Sequence, residues 1–395
     1  MQSFKDLYHT ITPDFVRIQI WNASRRKEKR PYVQKVLKDD NKYANEIYSM
    51  LWDRGFQFSP HRAKTIYDPH SKKSRDLLIP EYYPDHIVCW VYVQMMKPLF
   101  LRGLYPFTYS SLPKRGLDSA LKQVQYWIDT DPTNTQFVGE ADIHRCYQSV
   151  WQDKLLSQID RRCRDKNALW LSEQVVRSVP KGLPIGDYPS PWLTNYHLQD
   201  IDHMIKEVFH IPHYERYLDN LLLFSSDKNQ LHECLNGIEE VLRQEHHMTL
   251  NSDKQVYPLR CGLDWLGLVF YPYHTKLRAR NFLAFTRQAR DLCWRIDNGE
   301  EISLHEALSV ECRAAMVRRC DSYNIFQKYF APEYEREIKH ITRKMMRTQH
   351  LVKSLKDYPT KKEESDYGLY LHQLANGWQR SCSGELPGLP WDSRN

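Results

Sequence analysis

The sequence predicts an α+β protein, and three stretches carry that expectation. The first, Tyr214–Ser226 (YERYLDNLLLFSS), places alternating or continuously apolar runs on either side of a polar tip, Leu218-Asp219-Asn220. Asp and Asn tolerate turn backbone angles, so the stretch reads as a β-hairpin. The second, Phe137–Val150 (FVGEADIHRCYQSV), reads as an apolar strand ending at Asp142, with a helix-like segment, Gln152–Cys163, behind it. The third is Asn281–Gln349, where Arg287, Arg290, Arg295, Arg313, Arg318, Arg319, Arg343, Lys344 and Arg347 recur at helical spacing.

The bulk numbers bound the answer. A chain of 395 residues with 41% apolar content can bury a large core and divides into two or three subdomains. The charge of +7, from 56 Lys and Arg against 49 Asp and Glu, permits a polyanionic partner without demanding one. Its 25 tyrosines and 11 tryptophans supply flat surfaces for base stacking as well as core. The nine cysteines are odd in number, scattered and free of any Cys-x-x-Cys pair, which argues against a disulfide framework or a zinc ribbon. The N-terminus has no secretory pattern and no stretch reaches the length of a membrane span. A soluble cytoplasmic protein with reduced thiols and no membrane partner is expected.

Taken in order, residues 1–60 read as a helical N-terminal extension, because Val33, Val36, Leu37, Tyr43, Ile47 and Leu51 within Pro31–Phe56 keep helical spacing. In Phe58–Pro80 the cations Lys72, Lys73 and Arg75 sit between a turn signal, Asp68-Pro69, and a strand, Asp76–Ile79. On a hairpin facing a cleft they would grip a triphosphate; otherwise they are a solvated charge run. Pro84–Phe100 is apolar enough to be a core helix. Lys114, Arg115 and Gly116 then lead into a helix capped at Asp118 or Ser119, a weak anion-site signal. In Lys181–Ile205, Gly182, Pro184, Gly186, Pro189 and Pro191 make a stiff loop that lets a ligand approach the backbone, followed by a helix burying Leu193, Tyr196, Ile201, Met204 and Ile205. Asp227–His246 reads as a helix behind the hairpin. Strand fragments around Lys254 end in the hairpin-like DWLGLVF, and residues 351–395 read as a tail.

Two strand-borne aspartates, Asp142 and Asp219, separated by a helix-rich connection, are candidates to meet on neighbouring strands and share divalent metal, as two-metal phosphoryl transfer requires. Taken alone, the stretch favours an Asp219 that only shapes its turn; the second aspartate is what shifts the reading toward metal.

Together these motifs resemble those of reverse transcriptases over about Tyr67 to Phe270. The composite is a basic fingers strand, an Asp-Ile strand with Tyr five residues on, a GxPxGxxxSP loop, a YxDD-like hairpin, a Lys loop and a WLG turn. The resemblance implies a right-hand polymerase: fingers and palm over 61–272, with an antiparallel sheet plus helices, and a helical basic thumb over 273–350. It implies an RNA template, a DNA or RNA primer, deoxynucleotides, and two Mg2+ ions for which Mn2+ substitutes. Asp142, Ile143, Asp219 and Asn220 would form the metal site, and Lys73 and Arg75 would grip the triphosphate. Tyr147 would lie beneath the sugar, with Ile185 and Gly186 beside the nucleotide. Lys254 would be the proton donor, and Trp265, Leu266 and Gly267 would support the primer.

Within that family, DIHRCYQSV and GLPIG resemble the enzymes of diversity-generating retroelements, in which an accessory nucleic-acid-binding protein takes part. Ile185 stands where Gln is common, which implies weaker base selection. Two departures keep other readings open. Ser190-Pro191 leaves room for retron-like or phage-defence enzymes, including template-independent DNA synthesis. Asn220 replaces the second carboxylate of the turn, so metal affinity is expected to fall, and a catalytically degenerate RNA-binding homologue is the alternative.

Overall fold

The computed structural model describes residues 3–68 and 73–350, so Lys72 and the tail expected over 351–395 lie outside the described residues. Three helices open the chain: α1 (Pro13–Ser24), α2 (Pro31–Lys38) and α3 (Asp40–Trp52). Helix α1 starts sharply because Thr12 Oγ1 accepts a hydrogen bond from Phe15 N at 3.1 Å and Pro13 presets the first turn. The hairpin β1 (Arg62–Asp68) and β2 (Lys73–Ile79) follows, then the buried helix α4 (Ile87–Leu101). Lys73 and Arg75 therefore lie within the second strand of the hairpin, where the sequence placed them ahead of a shorter strand.

Next come β3 (Thr108–Tyr109), α5 (Leu117–Thr130), β4 (Phe137–Asp142), α6 (Cys146–Ser149), α7 (Gln152–Arg162), α8 (Lys166–Val176), α9 (Pro189–His197) and α10 (Gln199–Glu207). Helix α5 is capped by Gly116, with no side-chain bond at its N-terminus. Asp118, expected as a cap, instead pairs with Arg319. The single helix expected through Leu193–Ile205 is two, broken at Leu198. The chain then runs through β5 (His213–Tyr217), β6 (Asn220–Ser225), α11 (Lys228–Val241), β7 (Gln255–Pro258), β8 (Leu263–Trp265), β9 (Leu268–Tyr271) and β10 (His274–Leu277). Helices α12 (Ala279–Asp297), α13 (Leu304–Val317), α14 (Tyr323–Tyr329) and α15 (Pro332–His350) complete it.

The central sheet has the order β3-β5-β6-β4-β7 and is antiparallel apart from the short β3–β5 pair. Side chains alternate across a strand, so its two faces serve two cores. Ala141, Tyr214, Leu221 and Leu223 point into a large core shared with α1–α4 and α7–α11. Val138, Leu222 and Phe224 point the other way, into a second core with α5, the β8–β10 sheet and α12–α15. By the same alternation Asp142 and Asn220 lie on the Val138 and Leu222 face, at the end where β4 and β6 stop.

Candidate active site

Strand β4 runs antiparallel to β6 so that Asp142 lies opposite Asn220, and Ile143 N donates to Asp219 O at 3.1 Å. Opposed residues of an antiparallel pair have Cα atoms only about 5 Å apart. Asp142, Asp219 and Asn220 are therefore neighbours, and all three are half-buried, open to solvent on one side. The turn is tighter than the sequence indicated: Leu218 and Asp219 span it, with Leu218 at φ 59°, and Asn220 already belongs to β6.

Two supports fix these side chains. Asn251 Nδ2 donates to Asp142 Oδ2 at 2.9 Å, while Asn251 N donates to the Asp142 carbonyl at 2.7 Å. Beneath the hairpin, Arg216 is wholly buried and forks onto Asp202, with Nε and Nη2 each 2.7 Å from a carboxylate oxygen. Its Nη1 also donates to Asn195 Oδ1 and to the Leu218 carbonyl, both at 2.9 Å, so a buried ion pair pins the turn that carries Asp219. Neither Asn251 nor Arg216 was singled out from the sequence. For Arg216 a signal existed, a charged residue inside an otherwise strand-like apolar run. For Asn251, in a loop far along the chain, there was none.

Burial lifts the Asp219 carboxyl above its ordinary range, opposed by its own backbone N–H, by the Asn220 amide and by the nearby charges of Arg75 and Arg216. A carboxylate in that state gains from an adjacent cation. Two carboxylates and an amide fit Mg2+, which generally keeps waters and substrate phosphates as its remaining ligands. Among the described residues no group of three or more His, Cys, Asp or Glu side chains forms a self-sufficient metal cage.

Arg75 is exposed on β2 and close enough to act on both Asp219 and Tyr147. Lys73 opens the same strand opposite Asp68. Tyr147, on α6, is half-buried, and its carbonyl accepts from Leu183 N at 2.8 Å, which ties the glycine-rich loop beneath the site. A Cβ on Gly182 would come within 2.5 Å of the Gln148 carbonyl oxygen, so only glycine permits that approach. The Ile185 carbonyl accepts from Leu78 N at 3.0 Å, and Gly186 takes φ 104° against Leu77, joining the loop to β2. Arg75, Tyr147, Ile185, Gly186, Asp142, Asp219 and Asn220 thus converge.

Lys254 does not join them in this arrangement. Its ammonium is held by Glu239 and, at 3.3 Å, by Asn236 Oδ1, both on α11, the helix whose Leu231 packs on the opposite face of β4 at Gly139. Trp265, Leu266 and Gly267 form the turn between β8 and β9, with Leu266 at φ 48° and Gly267 at φ 95°.

Residues 90–270 match the family Reverse transcriptase (RNA-dependent DNA polymerase). Residues 90–270 form a reverse transcriptase domain. Its type is that of an RNA-directed DNA polymerase, a nucleotidyltransferase, and the described architecture is α+β, a mostly antiparallel sheet packed with helices. Asp142, Tyr147, the 182–187 loop, Asp219 and Trp265 fall inside the reverse transcriptase domain, while Arg75 precedes it. The chain is 26% identical over 162 residues to protein YkfC of Escherichia coli, covering 38% of this chain and 42% of that protein. It is 27% identical over 177 residues to an uncharacterized 91 kDa protein in the cob intron of Schizosaccharomyces pombe, covering 42% of this chain and 21% of that protein. It thus spans less than half the length of these relatives. Its path is loosely similar to apo telomerase from Candida tropicalis, with TM-score 0.44, 12% identity, and 72% and 62% of the two chains covered. It is similarly loose against telomerase from Candida albicans with a fragment of telomeric RNA, with TM-score 0.42, 13% identity, and 66% and 55% covered. Among the described residues no helix is long and apolar enough to cross a membrane.

Proposed function

We propose that this protein copies RNA into DNA, extending a DNA or RNA primer with deoxynucleotides. The observation that carries this reading is the meeting of Asp142 with Asp219 and Asn220 at an open strand end, faced by Arg75 from the β1–β2 hairpin. Two divalent ions, Mg2+ or Mn2+, supply when bound the activation of the primer hydroxyl and the neutralisation of the departing pyrophosphate. Asp142, Asp219, Asn220 and the Ile143 carbonyl are the groups that would hold them. Arg75 and Lys73 would neutralise the incoming triphosphate, and the Tyr147 ring would lie beneath the sugar, where a 2′-hydroxyl would collide with it. Trp265, Leu266 and Gly267 support the primer. Lys254 serves as proton donor only if it leaves Glu239 when substrate binds. In this reading residues 61–272 are fingers and palm, 273–350 the thumb and 1–60 a helical extension.

The aliphatic side chain of Ile185 has no hydrogen bond to offer a base, which supports low-fidelity copying of the kind found in diversity-generating retroelements, with an accessory nucleic-acid-binding protein as partner. Replacing Ile185 by Gln is expected to lower the misincorporation frequency, read by sequencing products; an unchanged frequency removes the fidelity claim.

Asn220 favours a second reading, an RNA-binding homologue without turnover. Primer extension on an RNA template with Mg2+ and then Mn2+, comparing wild type with Asp219→Ala, separates the two. Extension by wild type and loss on the order of a thousandfold in the variant are expected. No product under either metal leaves the second reading, and product without added template indicates template-independent synthesis.

A further inference from the structure

We propose that Glu215 is a positioning residue for the primer terminus, acting through Trp265. This rests on the polymerase reading and extends it to a side chain inside the sheet. Glu215 lies mid-strand in β5, opposite Leu222, and is wholly buried. Its Oε1 accepts from Trp265 Nε1 at 2.7 Å, and its Oε2 is buried without a hydrogen-bond partner. Burial pushes the carboxyl well above its ordinary range despite the indole bond.

As a structural element this is a poor choice. A carboxyl with one bond, opposite Leu222 and wholly buried, leaves an oxygen unsatisfied where leucine would leave nothing. What leucine lacks is the ability to select one rotation of an indole ring. Trp265 pairs with Leu268 to close the turn at Leu266 and Gly267, whose backbone is in the left-handed region at both positions. On the far side of that turn the Gly267 carbonyl accepts from Arg278 N at 3.1 Å and Asn281 Nδ2 at 3.2 Å, tying it to α12. Glu215 supplies the matching tie on the near side, to the strand that leads into Asp219. The turn proposed to support the primer and the hairpin proposed to bind metal share a packed core, and this side-chain bond adds a directional tie between them.

The test uses the full chain and a labelled primer–template, with Glu215→Leu, Glu215→Gln and Trp265→Phe. Equilibrium binding by fluorescence anisotropy needs no turnover, and steady-state extension adds the KM values. In Glu215→Leu, primer–template Kd and KM are expected to rise about fivefold, the loss of one hydrogen bond, while the deoxynucleotide KM and the Mg2+ midpoint stay within about twofold. Glu215→Gln, which keeps the acceptor, is expected to restore wild-type values. Trp265→Phe, which keeps a ring and deletes the donor, reproduces the Leu phenotype and serves if Glu215→Leu does not fold. An unchanged primer Kd, a Gln variant as weak as Leu, or a parallel shift of the Mg2+ midpoint overturns the proposal; the last would mean that Glu215 merely holds the hairpin. Wild-type protein that binds primer–template but never extends it overturns the polymerase reading instead.

Discussion

Two hairpins converge on Asp219, and they handle charge in opposite ways. The β5–β6 hairpin turns its cation inward: Arg216 is buried, forked onto Asp202 and bonded to the Leu218 carbonyl of the turn. The β1–β2 hairpin turns its cation outward: Arg75 is exposed, and so are the neighbouring positions from Arg62 to Tyr67. A two-stranded sheet with no buried face is marginal by itself, and this one is joined to the domain chiefly through Leu78 N and the Ile185 carbonyl. Groups that hold metal gain from being fixed before substrate arrives, whereas a group that grips a triphosphate must let it in and let pyrophosphate out. On the proposed reading, rigidity and reach are divided between the two hairpins accordingly.

The largest effect is expected from breaking the inward charge. Arg216→Leu strands a buried Asp202 and should cost about 3–5 kcal/mol in urea unfolding, with the Arg216→Leu, Asp202→Leu double variant recovering most of it. Equal loss in single and double variants would show that the pair itself, not the stranded charge, sustains the hairpin. On the outward side, Arg75→Ala should leave stability within about 0.5 kcal/mol while raising the deoxynucleotide KM roughly tenfold. A fall in stability comparable to that of Arg216→Leu would erase the contrast.

A subtler probe adds charge to the rigid hairpin. Asn220→Asp brings a second carboxylate to the turn and should lower the Mg2+ concentration for half-maximal extension about fivefold, since each added anion strengthens a hard-cation site. An unchanged midpoint would place Asn220 outside the metal shell.

The smallest effect is a pH slope in the support behind the rigid hairpin. His197, on α9 beside Asn195, is held near a pKa of about 3 by burial and by the neighbouring His246. Its folded value lies below the ordinary 6.5, so the unfolded chain takes up the proton first. Stability is therefore complete above that value and declines as the pH falls toward 3. Between pH 7 and 6 His197 should contribute a loss of about 0.7 kcal/mol, read as the difference in urea-midpoint pH slope between wild type and His197→Gln.

Much of the framework was legible because its signals are local. The hairpin at Asp219, the strand ending at Asp142 and the helices α2, α3, α4 and α11 each follow from periodicity and turn chemistry within a short window. Element ends were less legible. The break at Leu198 and the Gly116 cap depend on neighbours outside the window, and Lys73 entered β2 because Asp68 pairs with it across a turn whose strand length the sequence does not state. At the site, Lys254 shows the limit most plainly. Its place in a loop after α11 was readable, but its engagement by Glu239 on that helix was not.

By itself the sequence determined where strands and helices form and that two carboxylates stand at strand ends, since alternation and turn preference act over a few residues. Only the tertiary structure decided which sheet face they share, that Arg216 is the charge turned inside, and that Asn251 and Glu215 hold Asp142 and Trp265. Those partners are separated by 109 and 50 residues along the chain. Contacts at such separations are set by how the two cores pack against the sheet, and no local pattern encodes that packing.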